Sequence, residues 1–194
     1  GGVFACHEFR AKSPQYRRVT DERCTVPDDR CKGSWHSVVM TDLLASDPSL
    51  APLWQALTES RQAVALSDPN PRVGCVITRP DGQLLGQGHT QQAGGPHAEV
   101  MALRDAAARG HSVVGATAWV TLEPCAHHGR TPPCCDALIR EGLARVVVAL
   151  ADPNPLVAGQ GLARLRAAGL QVEVLPAKHP LARQVKELNI GFLS

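Results

Sequence analysis

ATAWVTLEPCAHHGRTPPCCDALIREGLARVVVAL, residues 116–150, holds two apolar runs on either side of one helical stretch. Ala116–Leu122, with Trp119 and Val120 inside it, alternates enough to predict a buried strand that runs into Glu123-Pro124-Cys125. A loop follows. Thr131 is a fair N-cap with Pro132 at the first helical position, and the helix it opens is expected to end near Gly142. Arg145–Leu150 is then a short apolar run of the kind that forms strands covered on both faces. A strand, a crossover helix and a second strand imply parallel neighbours in one sheet.

Downstream the alternation continues with a helix over Gly161–Ala168, a strand over Leu170–Val174 and a last helix over roughly Leu181–Asn189. Upstream, Pro52 can open a helix in which Leu53, Trp54, Leu57, Ala63 and Val64 recur near helical spacing, until Ser67-Asp68-Pro69-Asn70-Pro71 breaks it. Val73–Thr78 and Gln83–Gly88 flank a tight turn at Asp81-Gly82 and read as a hairpin. A helix starting near Pro96, with Val100, Leu103 and Ala107 on one face, stops at Gly110. The order predicts a three-layer α/β/α domain with a mixed five-stranded sheet, an N-terminal hairpin plus three parallel strands.

A length of 194 residues suits one domain. With 44% hydrophobic and 20% charged residues the chain is neither disordered nor fibrous. No apolar run approaches the roughly 20 residues of a membrane span, and no secretion segment is evident, so a cytoplasmic protein with no membrane partner is expected. Residues 1–39 carry seven Lys/Arg against five Asp/Glu and no sustained periodicity, whereas residues 40–194 carry thirteen of each. Gly1–Val39 is therefore read as a flexible extension, a translated leader or an expression remnant, and 40–194 as the functional domain. Cys24 and Cys31 lack a matching second pair, so they read as unstructured thiols against the alternative of a zinc knuckle. The neutral body argues for a small substrate and against nucleic acid. The oligomeric state stays open, a homo-oligomer included.

Three pieces fall where a strand gives way to a helix: His97-Ala98-Glu99, Pro124-Cys125 and Pro132-Pro133-Cys134. One imidazole and two thiolates make three zinc ligands, and a three-ligand set leaves the fourth tetrahedral position for water, as in catalytic rather than structural sites. Glu99 is the spare acid. Two helix ends, at His97 and at Cys134, would direct free N–H groups at the site and favour thiolate over thiol. Cys134 and Cys135 compete for one ligand position, and Cys75, inside an apolar strand, is core. Glu123 reads as an anchor for its loop through backbone hydrogen bonds. The stretch Asp152-Pro153-Asn154-Pro155, with Gly159 and Gly161 before a helix, is either a phosphate-binding helix start or a tight connection.

The pattern His-x-Glu followed by Pro-Cys and a second Cys resembles that of the zinc-dependent nucleobase deaminases, although eight residues here separate the two cysteines. Cys125-Ala126-His127-His128-Gly129-Arg130-Thr131-Pro132-Pro133-Cys134 closely resembles the form found in the riboflavin-pathway pyrimidine deaminases, as do Asn70-Pro71-Arg72-Val73-Gly74-Cys75-Val76-Ile77, Pro96-His97-Ala98-Glu99-Val100, Thr121-Leu122-Glu123-Pro124-Cys125 and Asp152-Pro153-Asn154-Pro155. The resemblance runs from about Leu53 to Leu193. It implies a cytidine deaminase-like fold and deamination of 2,5-diamino-6-ribosylamino-4(3H)-pyrimidinone 5′-phosphate, with release of ammonia.

The resemblance further implies that His97, Cys125 and Cys134 hold zinc, which selects Cys134 over Cys135. Glu99 would serve as base and then acid, and because two thiolates neutralise the dication and leave the water less acidic, that role is the more necessary. Asn70 and His127 would bind the pyrimidine and Arg130 the ribose phosphate. A position that is often His in relatives is Thr90 here, beside His89. In the family a reductase using NADPH usually follows; the sequence stops at Asn189-Ile190-Gly191-Phe192-Leu193, about where it would begin, so no reductase activity is expected of a truncated or stand-alone deaminase. Two alternatives stand beside this reading. A deaminase of nucleic-acid bases would want aromatic platforms and a basic groove, and a non-enzymatic zinc-stabilised domain would want a fourth ligand, from Cys135 or His127.

Overall fold

The apolar runs with helical and alternating periods assemble around one sheet in the computed structural model, which describes residues 47–127, 132–152, 154 and 158–192. A 3-10 turn at Pro48–Leu50 leads into α1 (Ala51–Ser60). The hairpin strands β1 (Gly74–Thr78) and β2 (Leu84–His89) follow, then α2 (Ala98–Ala108), β3 (Thr117–Leu122), α3 (Cys134–Arg140), β4 (Arg145–Leu150), α4 (Gln160–Ala167), β5 (Gln171–Val174) and α5 (Pro180–Leu188). The sheet order is β2-β1-β3-β4-β5. β1 pairs antiparallel with both β2 and β3, while β3, β4 and β5 are mutually parallel, Ala118 facing Val146 and Val148 facing Val174. This is the mixed α/β sheet that the alternation of elements predicts. Among the described residues no helix is long and apolar enough to cross a membrane. The extension over residues 1–39, with Cys24 and Cys31, lies outside the described residues.

Helices cover both faces. α1 and α5 pack on one side through Leu53, Leu57, Leu181 and Val185, all buried, against Val76, Trp119 and Val147. α2, α3 and α4 pack on the other through Ala98, Ala102, Leu138 and Leu165, against Cys75, Ile77, Val120, Val146 and Val148. Every residue of β3 is consequently buried. Its polar members are satisfied there: Thr121 Oγ1 accepts the Gly74 N–H at 3.1 Å. On the neighbouring strand Thr78 Oγ1 accepts the Trp119 indole N–H at 2.9 Å.

Three local expectations are corrected. The first helix ends at Ser60, a 3-10 turn takes Arg61–Ala63, and Val64 turns to extended geometry and is 48% exposed, so it does not belong to the core stripe. In α2 the fully buried face is Ala98, Glu99, Ala102 and Ala106; of the expected stripe Leu103 packs half-buried against the core, Val100 is half-buried and Ala107 is exposed. Close approach explains the choice: a Cβ at Gly86 of β2 would lie 2.3 Å from the Ala102 carbonyl oxygen, and one at Gly88 would lie 2.5 Å from Met101 Cβ. Small residues on both elements let the backbones meet, and larger apolar side chains are displaced to the flanks. Third, α3 starts at Cys134 with Pro133 in the N-cap position, two residues later than a Thr131 cap requires; Thr131 itself lies outside the described residues.

Candidate active site and metal centre

Sequence-distant ligand types meet where the chain leaves strands and enters helices. His97 is the N-cap of α2, with extended backbone (φ −78°, ψ 170°), and Glu99 sits in the first turn. Cys125 follows the C-terminal end of β3, and Cys134 is the first residue of α3. His97 Nδ1 is 3.6 Å from Cys125 Sγ and 3.4 Å from Cys134 Sγ, and the three donor atoms lie within 4.8 Å of one another. A tetrahedral zinc with typical Zn–N and Zn–S bonds requires N···S separations of about 3.6 Å. The donor set therefore fits zinc in chemistry and in spacing.

Its electrostatics point the same way. The Cys134 thiol, the His97 ring and the Cys134 backbone N–H, at 3.3 Å, all hydrogen-bond to Cys125 sulfur and hold the Cys125 thiol far below its ordinary value, at about 4. The hydrogen bond with Cys125, and burial after it, push the Cys134 thiol strongly upward. His97 is raised, first through its hydrogen bond to Cys125. Glu99 is 3% exposed. Burial, and after it the Cys125 thiolate, push its carboxyl up to about 7, the range in which a carboxyl both gives and takes protons near neutrality.

Cys135, the competing thiol, points elsewhere. Its Sγ donates to the carbonyls of Pro124 at 3.3 Å and Gly161 at 3.6 Å, and burial pushes it up to about 12. Cys75 is buried in β1. Asn70 and His127 line one cavity of about 540 Å³ with His97, Glu99 and Cys125, and Thr90 lines it too, its hydroxyl accepting the Val73 N–H at 3.2 Å. Arg130 and His128 lie outside the described residues.

Glu123 is buried, and its two carboxylate oxygens accept the backbone N–H groups of Asp152 (3.1 Å), Gly159 (3.0 Å), Gly161 (3.0 Å) and Leu162 (3.3 Å). Of the two readings of that loop these bonds favour the tight connection over the phosphate site, because the carboxylate of Glu123 already occupies the start of α4. A Cβ on Gly161 would meet the Pro124 carbonyl oxygen at 2.0 Å, so α4 rests directly on the peptide preceding Cys125. Sequence reasoning missed Asp152 and Phe192 as cavity residues. No periodicity or ligand spacing marks either, since both arrive through the packing of distant loops.

Residues 51–150 match the cytidine and deoxycytidylate deaminase zinc-binding region. The diaminohydroxyphosphoribosylamino-pyrimidine deaminase of Buchnera aphidicola is 43% identical over 138 residues, which cover 71% of this chain and 88% of that protein. The chain belongs to the riboflavin-pathway pyrimidine deaminases. Another member, riboflavin biosynthesis protein RibD of Escherichia coli, is 54% identical over 140 residues, 72% of this chain. The match spans 36% of that longer protein. In the solved structure of Acinetobacter baumannii RibD, form 2, the deaminase fold superposes with a TM-score of 0.65 at 49% identity, covering 73% of this chain and 38% of that one. A zinc-binding deaminase family is thus the family in which this His/Cys/Cys cluster occurs.

Proposed function

We propose that the protein hydrolytically deaminates 2,5-diamino-6-ribosylamino-4(3H)-pyrimidinone 5′-phosphate to 5-amino-6-ribosylamino-2,4(1H,3H)-pyrimidinedione 5′-phosphate and ammonia. The observation that carries this reading is the convergence of His97, Cys125 and Cys134 beside a buried carboxyl at about 7, at the wall of a nucleotide-sized cavity. His97, Cys125 and Cys134 would hold zinc, which when bound supplies Lewis acidity for the attack of water. Glu99 accepts a proton from the attacking water and delivers it to the ring nitrogen; water oxygen bonds to the carbon bearing the amine. A second proton passes through Glu99 to the amine, the C–N bond breaks and ammonia leaves.

Asn70, distant in sequence from the cysteines but lining the same cavity as Cys125, orients the pyrimidine together with His127. Arg130, by its place between the two cysteines in sequence, is assigned to the phosphate, for which a guanidinium fork is suited. The substrate is a free nucleotide, and a cytoplasmic setting is proposed with it. The test is ammonia release from the pyrimidine phosphate by the zinc-loaded chain, with and without a chelator. Turnover that persists undiminished after complete metal removal, or none with metal bound, overturns the reading.

A further inference from the structure

The stretch after α5 reaches the same cavity from the far end of the chain. Asn189, 2% exposed, accepts the Arg72 N–H through Oδ1 at 2.7 Å and donates through Nδ2 to the carbonyls of Arg72 at 3.2 Å and Val185 at 3.0 Å. The Arg72 guanidinium returns a bond to the Leu188 carbonyl at 2.8 Å. One side-chain amide thus pairs with both backbone groups of the residue two positions after Asn70, which fixes that loop as a strand partner would. From Asn189 a short turn, closed by the Phe192 N–H on the Asn189 carbonyl at 2.9 Å, brings Phe192 to the cavity wall. Phe192 is 46% exposed, and it supplies the one phenyl ring among the described residues that line the cavity.

A half-exposed phenyl ring at the edge of a cavity is poorly accounted for by core packing, and a planar pyrimidine presents the apolar π-face that such a ring covers. We propose that Phe192 is a substrate-binding residue whose ring covers the face of the bound pyrimidine, and that Asn189 is a positioning residue holding Phe192 and the Asn70 loop in register. This rests on the deaminase reading above. It makes the end of α5 part of the site, although it lies more than 50 residues from any ligand cysteine.

Calorimetric titration of the zinc-loaded protein with the product nucleotide tests it. Phe192→Ala and Phe192→Leu should each weaken binding by roughly ten-fold, Phe192→Tyr should stay within about two-fold of the parent, and zinc content should not change. In turnover the same variants should raise KM with kcat nearly constant. Leu restoring the affinity as well as Tyr would overturn ring stacking, and unchanged binding by Phe192→Ala would overturn the contact. Asn189→Ala should speed hydrogen exchange of the Arg72 amide and raise KM; where that variant does not fold, Asn189→Asp, which keeps the acceptor and removes both donations, should do the same to a smaller extent. Unaltered exchange at Arg72 overturns the positioning role. A parent protein that neither binds the nucleotide nor releases ammonia fails the deaminase reading itself, whereas a parent that does both beside an indifferent Phe192→Ala fails only this inference.

Discussion

Glu99 is buried beside a thiolate, and both features hold its proton on to higher pH than a carboxyl in water would. Glu99→Gln keeps the shape and removes the proposed proton carrier. We expect that variant to retain stoichiometric zinc while ammonia release falls roughly 10²- to 10⁴-fold, measured by metal analysis alongside steady-state turnover. The two adjacent cysteines separate just as cleanly. Cys134→Ser removes a donor 3.4 Å from His97 Nδ1 and should lower zinc content, whereas Cys135→Ser changes a thiol that donates only to backbone carbonyls and should leave zinc in place. Metal loss confined to Cys135→Ser would reverse the assignment. From the sequence, His97, Glu99 and Cys125 are legible by residue type and spacing. The choice between Cys134 and Cys135 is not, since neighbours at the start of a helix differ by about 100° in direction and only the path of the preceding loop says which one faces inward.

Helix α4 is held by an acid on another element. Glu123 stands at the end of β3 and its carboxylate takes the N–H groups that a helix start leaves unpaired, so it favours the α4 terminus both by hydrogen bonding and by charge. Glu123→Gln replaces one acceptor oxygen by a donor aimed at N–H groups. We expect a loss of about 2 kcal/mol or more in denaturant unfolding, with weaker zinc retention because Cys125 is two residues away. At the opposite edge, Asp105 of α2 accepts the Gln87 N–H of β2 at 2.9 Å and pairs with Arg109 at 2.9 Å. Partial burial pushes its carboxyl up, but Arg109 and the Gln87 N–H outweigh that and hold it below its ordinary value. A depressed native value means stability present above about pH 4 and lost as pH falls through the folded value. Asp105→Asn should therefore show a shallower acid limb in stability against pH than the parent; identical limbs would show that the pair contributes nothing.

Three elements meet at the proposed metal cluster, because His97 caps α2, Cys125 follows β3 and Cys134 opens α3. Chelation should accordingly lower the melting temperature and let those three elements exchange amide hydrogens faster, while β5 and α5 change least. A melting temperature indifferent to the metal would mean that packing alone holds the site together. By itself the sequence determined the order of elements, the hairpin and the parallel crossovers, since periodicity, turn residues and crossover lengths are local properties of the chain. It also carried the ligand types, because imidazole, thiols and a spare acid at strand-to-helix junctions are legible without coordinates. Which face of α2 meets the sheet was decided by backbone approach between Gly86 and Ala102, a contact between elements that no single element's pattern encodes. Tertiary structure alone also diverted the start of α4 from phosphate to Glu123, and brought Asn189 and Phe192 to the Asn70 loop. Those pairings span 38 and 117 residues of sequence, and hydrogen bonds across such distances exist only once the core has set the geometry of both ends.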